Sequence, residues 1–371
     1  MRKLRLAVVG AGRLGGFHAQ KLARRDDVEL VAVVDPDREA RNRVAAECGT
    51  LALHDCRRLA HEIDAAVLAA PTRLHHRIGS ELLSSGVHLL VEKPLAATLA
   101  EADELVEAAR RAGVVLQVGH VERFNPAVAA ALPYVGDPKY VEAVRAGGFT
   151  FRSTDIGVVL DLMIHDLDLV LAMVRSPVRK VEALGLSVLG GHEDVANARL
   201  EFECGCVATL SASRVSYEPA RRMQVWSPRA FAHLDFAAQR ATVVRPSETL
   251  LSRRFDVHAL SAEQIEHYKQ HLFEEHLPRT EICGEPVDAL MLEIDDFLAS
   301  IRTPRAPRVT GEQGREALAV AEQILSKIEA HRWGDADGPV GPLAIPRPSI
   351  IPAPHWHLAP THPPLERKEA G

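Results

Sequence analysis

The sequence predicts a two-domain protein: an N-terminal doubly wound parallel α/β sheet, then an α+β domain built on a large, mostly antiparallel sheet. Three observations predict it. The chain has 371 residues, more than one hydrophobic core usually supports. Up to about residue 119, short apolar runs alternate with helical segments. Between residues 180 and 244, strand-like stretches follow one another with turn signals and no helices between them.

In the first domain the strand candidates are Leu4 to Val9, Val28 to Val34, Ala65 to Ala69, Val87 to Val91 and Val114 to Val118. Each is nearly continuous in Val, Leu and Ala, as strands covered by helices on both faces must be. After Gly119 a long helix is expected from Gly157 to Val174. Strands are then expected at Lys180 to Leu189, Val195 to Glu203, Cys206 to Ser213, Met223 to Trp226, Phe231 to Phe236 and Ala241 to Val244. Amphipathic helices at 286–302 and 311–330 close the second domain. The expected division is 1–120 for the first domain and 121–333 for the second, with helix 311–331 free to pack back on the first. Residues 334–371 carry nine prolines and read as an extended tail.

Composition narrows the function classes. Apolar residues at 47% and charged residues at 25% are ordinary for a globular protein. The 44 basic against 50 acidic side chains give a net charge of -6, and no basic stripe offsets it, so nucleic-acid partners are not expected. No apolar run reaches membrane-spanning length and no leader-like segment opens the chain, so a cytoplasmic protein without a membrane partner is expected. The five cysteines include no C-x-x-C pair; reduced thiols and no metal are the expectation, with Cys204 and Cys206 flanking a hairpin turn at Gly205.

Gly10-Ala11-Gly12-Arg13-Leu14-Gly15 directly follows the first strand and opens a helix, the context that gives a G-x-G-x-x-G string its meaning. Gly10 permits the tight turn, Gly12 lets backbone approach a pyrophosphate, and Gly15 lets helix and strand pack closely. This is the signature of a Rossmann dinucleotide site. Asp35 ends the second strand, twenty residues after Gly15, where a carboxylate accepts from both adenine-ribose hydroxyls and repels a 2′-phosphate. NAD is therefore expected over NADP, although Arg38 nearby leaves room for the latter, and Asp35 could instead cap the next helix. Ala70-Pro71-Thr72 lies at the same carboxyl edge of the sheet.

Only 8 of the 44 basic residues are lysines, and from residue 22 to 138 the one lysine is Lys93. It stands in Glu92-Lys93-Pro94, at a strand end on the cofactor edge. It is either an ordinary solvated lysine or a compact ammonium reserved for a substrate hydroxyl. In the long helix, Asp161 and His165 are four apart and Asp168 continues that face. They form either a solvated polar stripe or an imidazole working beside a carboxylate.

In this order, the glycine turn, Glu92-Lys93-Pro94 and Asp161-x-x-x-His165 resemble the Gfo/Idh/MocA oxidoreductases, over residues 1 to about 330. The resemblance implies hydride transfer from a sugar ring carbinol to nicotinamide. It places Lys93, Asp161 and His165 at the substrate hydroxyl and His75 beside the cofactor. In that assignment His165 is the base, Asp161 orients it or binds substrate, and Lys93 is the cation on the oxygen. The string Val118-Gly119-His120-Val121-Glu122-Arg123-Phe124-Asn125-Pro126, together with residues 161–168, is similar to the branch containing UDP-N-acetylglucosamine 3-dehydrogenases. That similarity implies a sugar-nucleotide substrate, a 3-keto product for a downstream aminotransferase, and His120, Arg123 and Asn125 near substrate. From the residues alone, Arg123 could equally pair with a carboxylate and Asn125 could cap the turn before Pro126. A dehydrogenase for a free polyol of inositol type, or a non-catalytic NAD-binding sensor, are the alternatives. A homodimer or homotetramer through the open face of the antiparallel sheet is expected.

Overall fold

The computed structural model describes residues 2–337 apart from 58, 152–155, 190, 284–286, 304, 334 and 335. Most of the predicted tail lies outside the described residues.

The first domain runs β1 (Leu4–Val9), α1 (Arg13–Ala23), β2 (Val28–Val34), α2 (Arg38–Cys48), β3 (Leu51–Leu53), β4 (Ala65–Leu68), α3 (His75–Ser84), β5 (His88–Glu92), α4 (Leu99–Ala112) and β6 (Leu116–Gly119). The six strands form one parallel sheet in the order β3-β2-β1-β4-β5-β6. Chain direction across the sheet reverses between β1 and β4, so a crevice opens beyond their carboxyl ends, where such sheets bind ligands. β3 was not anticipated: its three residues are half exposed and too short for a periodic signal.

The second domain contains α5 (Pro126–Ala131), β7 (Tyr140–Ala146), a π-helical turn (Val159–Met163) leading into α6 (Ile164–Val174), then β8 (Val178–Leu186), β9 (Val195–Phe202), β10 (Val207–Ser213), β11 (Ala220–Trp226), β12 (Phe231–Asp235) and β13 (Arg240–Val244). After α7 (Glu248–Leu251) and α8 (Ala262–His276), β14 (Arg279–Cys283) completes an eight-stranded sheet in the order β14-β13-β12-β11-β7-β10-β9-β8. Every pairing is antiparallel except β7 with β10. One face is closed by α5 and α6: the inward residues of β7 and β10, among them Val141, Ala143, Ala208 and Leu210, are buried. The outward residues Tyr140, Trp226 and Phe231 stack on one another, partly exposed. β7, α8 and β14 extend the sequence reading. α8 is exposed over most of its length, opens on a Ser261 capping box, and is tied down at its end by Phe255 and Ser247 against His276.

Two helices tie the domains together. α9 (Ala289–Arg302) belongs to the second half of the sequence, yet Ile294, Phe297 and Leu298 are buried with Leu6, Val8, Ala19 and Leu22 of the first domain. The parallel sheet ends at Gly119, and the chain returns with α9 to cover one of its faces, so the stretch 121–333 does not pack as one unit. α10 (Gly311–Ala330) packs on both domains, with Gly311 and Gly314 pressed against Leu116 and Val118 while Ile328 meets Gly185 of β8. A Cβ at Gly314 would lie 2.5 Å from Val118, so only glycine allows the approach. No helix among the described residues is long and apolar enough to cross a membrane.

Candidate active site

The cofactor end is shaped by backbone. Gly10 has φ +106°, and a Cβ there would lie 2.5 Å from the Ala69 carbonyl oxygen; a Cβ at Gly15 would lie 1.8 Å from that of Gly10. Both glycines are required by the turn. At Gly12, by contrast, a Cβ would meet nothing within 4 Å, so the space beside it is open for a ligand. Gly12 caps α1 without a side-chain hydrogen bond, and the first turn carries no acidic residue. Free amides at a helix start, unopposed by carboxylates, suit a pyrophosphate.

Asp35 accepts from Ala11 N (2.7 Å) and from Asp37 N (2.8 Å), which locks the glycine turn to the end of β2. The cap of α2 is Asp37, accepting from Glu39 N and Ala40 N, so Asp35 is not spent on that role. Gly10, Gly12, Arg13, Leu14, Asp35, Ala70, Pro71 and Thr72 all line one cavity of about 990 Å³. Residues and space fit a dinucleotide.

Lys93, joined to Pro94 by a cis peptide, lines the same cavity at the end of β5. Its Nζ donates to the Asp161 carbonyl oxygen (2.7 Å) and to Asp161 Oδ1 (3.2 Å). Asp161 lies in the π-helical turn, a widened turn common at functional sites. Its carboxylate faces Lys93, and no hydrogen bond joins it to His165 among the described residues. The expected role of Asp161 in orienting His165 is thereby replaced by a role in holding Lys93.

His165 is the second residue of α6, with Nδ1 sealed from solvent and unpartnered, which leaves Nε2 as its reachable nitrogen. Burial, together with the positive charges of Lys93, Arg145 and Arg221, holds its pKa well below the usual imidazole range. It is neutral at neutral pH and able to accept a proton.

The structure buries or pairs several of the expected residues. His120 is buried with both ring nitrogens unpartnered, edge-on to His165 at 6.2 Å between ring centres. Arg123 grips Asp168 with two bonds (2.6 and 3.0 Å). Asn125 caps α5 through Ala127 N and donates to Glu122 and to the Phe236 carbonyl. These are the structural alternatives for both residues, and they follow from α6 being buried almost all round. Asp166 and Asp168 need cations there, and Arg145 (2.8 and 3.0 Å) and Arg123 supply them. His75 is buried between the carbonyl oxygens of Ala70 (2.8 Å) and Pro94 (3.0 Å), so it joins two strand-end loops that line the cavity.

Glu92 points away from the cavity into an enclosed cluster. His18 Nε2 meets Glu92 Oε1 at 2.8 Å, and Glu293 of α9, fully buried with both oxygens unpartnered, lies within 4.8 Å of that pair. Burial and the nearby Glu92 charge push the Glu293 carboxyl well above the usual range, so it holds its proton.

Sequence reasoning missed the wall opposite the cofactor: Phe149, Arg145, Arg214 and Arg221. The period-two pattern of β7 and β11 was a usable signal, since Arg145 follows buried Val141 and Ala143, and Arg221 precedes buried Met223 and Val225.

The fold and site define a two-domain oxidoreductase with an NAD-binding Rossmann domain. Residues 4–120 match the oxidoreductase family with NAD-binding Rossmann fold, and residues 134–231 match the Gfo/Idh/MocA C-terminal domain. A UDP-N-acetylglucosamine 3-dehydrogenase of Acidithiobacillus ferrooxidans is 34% identical over 331 residues, which is 89% of this chain and 99% of that protein. Its solved structure superposes with a TM-score of 0.78. Myo-inositol 2-dehydrogenase of Thermotoga maritima is 24% identical over 89% of this chain and 97% of its own. Levoglucosan dehydrogenase solved with NADH and levoglucosan shares the fold at a TM-score of 0.73 and 16% identity, covering 88% of this chain and 97% of its own. The chain belongs to the Gfo/Idh/MocA family and is an NAD(P)-dependent dehydrogenase acting on CH–OH groups.

Proposed function

We propose that this enzyme oxidises C3 of UDP-N-acetylglucosamine with NAD, giving a 3-keto sugar nucleotide. The observation that carries this reading is the end-to-end likeness to the Acidithiobacillus enzyme, at 34% identity across 99% of its length. Bound NAD supplies the hydride acceptor. Lys93, steadied by Asp161, hydrogen-bonds the substrate oxygen and favours the negative charge that develops as hydride leaves carbon. Neutral His165 takes the hydroxyl proton on Nε2. Asp35 beside the ribose site supports NAD over NADP. The product's ketone is a substrate for transamination, so a partner aminotransferase is the reading for what consumes it.

The second reading, oxidation of a free polyol, rests on the inositol dehydrogenase likeness at 24% identity. A non-catalytic sensor has no need of Lys93 and Asp161 paired at the cavity with the neutral imidazole of His165 within reach of their charges. Following NADH absorbance with a panel of nucleotide sugars and inositols tests these together. UDP-N-acetylglucosamine is expected to give the highest kcat/KM, and turnover confined to inositols would overturn the proposal. The Tyr140, Trp226 and Phe231 face supports a homodimer or homotetramer through the second sheet. Light scattering after size exclusion should read more than one chain, and Trp226→Glu should shift it toward one.

A further inference from the structure

Arg221 shares the inward face of β11 with buried Met223 and Val225, and the strand register sets it directly opposite Arg145 of β7. Two like charges facing each other across a strand pair repel unless each is compensated. Arg145 is compensated by Asp166 on two bonds and by Glu122 at 2.7 Å. Arg214, the other cation of this wall, is held by Asp194 at 2.6 Å. The Arg221 side chain makes no ion pair, hydrogen bond or ring contact among the described residues, and it lines the cavity that also contains Lys93 and Asp161. It comes from the second domain, across the cavity from the amides that suit the cofactor's pyrophosphate. Its charge is also close enough to act on His165.

We propose that Arg221 is the specificity-determining contact for a phosphate group on the substrate. On this assignment the site selects sugars bearing an anomeric diphosphate over neutral polyols. The inference rests on the sugar-nucleotide reading of the site and deepens it. The chemistry favours phosphate: guanidinium is planar and always charged, and it offers paired donors that match two phosphate oxygens. Lysine would supply the charge without the fork. An anomeric diphosphate is carried on C1, two ring positions from C3, so Lys93 and His165 address the C3 hydroxyl while Arg221 holds the diphosphate.

The test uses the NAD-loaded enzyme and UDP as the probe, followed by calorimetry, beside kinetics with UDP-N-acetylglucosamine. Arg221→Gln is expected to weaken UDP binding and raise KM by about tenfold or more, with the loss falling on KM rather than kcat. Arg221→Lys should recover part of it. Arg222→Gln, one residue along on the outward face of β11, should change neither. Melting temperature and NADH fluorescence titration show whether Arg221→Gln leaves the fold and the cofactor site intact. The proposal is overturned if wild type binds no UDP, if Arg221→Gln binds it as wild type does, or if the two arginine variants lose equally. If Arg221→Gln loses UDP affinity while wild type turns over no UDP-N-acetylglucosamine, the phosphate contact stands and the choice of substrate fails.

Discussion

Lys93 and Asp161 come from different domains, and they meet in two hydrogen bonds at 2.7 and 3.2 Å. The parallel sheet delivers the ammonium and the π-helical turn delivers both its acceptors. Replacing Lys93 by Met removes the donor on the developing oxyanion, and kcat/KM should fall by about 10²- to 10³-fold. Asp161→Asn keeps the backbone acceptor and should cost only about tenfold. Steady-state kinetics checks both, and a normal turnover number for Lys93→Met would remove it from the mechanism.

His165 must be neutral to accept a proton, and its pKa is depressed by burial and by three cations. Activity that depends on it is therefore lost only when pH falls below the ordinary imidazole value near 6.5, and holds above it. The acid limb of log kcat/KM should lie under that value. Arg221→Gln removes one of the cations and should move the limb upward, toward 6.5. His165→Gln should abolish the limb. An acid limb above pH 7 in wild type would contradict the assignment.

The doubly wound parallel class of the first domain was legible because its strands are buried on both faces and punctuated by glycine turns. Lys93 was legible because lysine is scarce in this chain. Contact across elements was less so. Arg123 carried two equal readings in sequence, and only the burial of Asp168 on α6 decides between them. The recruitment of α9 to the first domain has no local signature, since its apolar stripe would suit either sheet. Arg221 was hidden beside Arg222 until strand parity separated the inward side chain from the outward one.

The glycine turn separates fold from ligand. Gly10→Ala forces a Cβ into the Ala69 carbonyl at positive φ and should lower the melting temperature of the cofactor-free protein by several degrees. Gly12→Ala meets nothing in the protein, yet occupies the side from which a pyrophosphate approaches. Its melting temperature without cofactor should match wild type, while NADH affinity drops about tenfold or more. Thermal shift with and without NADH reads both variants. Equal NADH affinity for Gly12→Ala would move the pyrophosphate away from this turn.

Glu293 sits fully buried against the His18–Glu92 pair and faces the negative charges of Glu92, Asp296 and Asp168. Its carboxyl is neutral in the folded state and ionised in the unfolded state at neutral pH. The folded protein thus binds the extra proton, and stability from this group is full below the unfolded pKa and lost as pH rises through the folded one. Glu293→Gln cannot ionise, so the variant should gain melting temperature relative to wild type as pH is raised from 5 toward 8. The gap should close at the acid end. Metal analysis of the purified protein is the companion measurement, because His18, Glu92 and Glu293 are also three donors within reach of one cation. Stoichiometric divalent metal, with Glu293→Gln destabilised at every pH, would replace the shared proton by an ion.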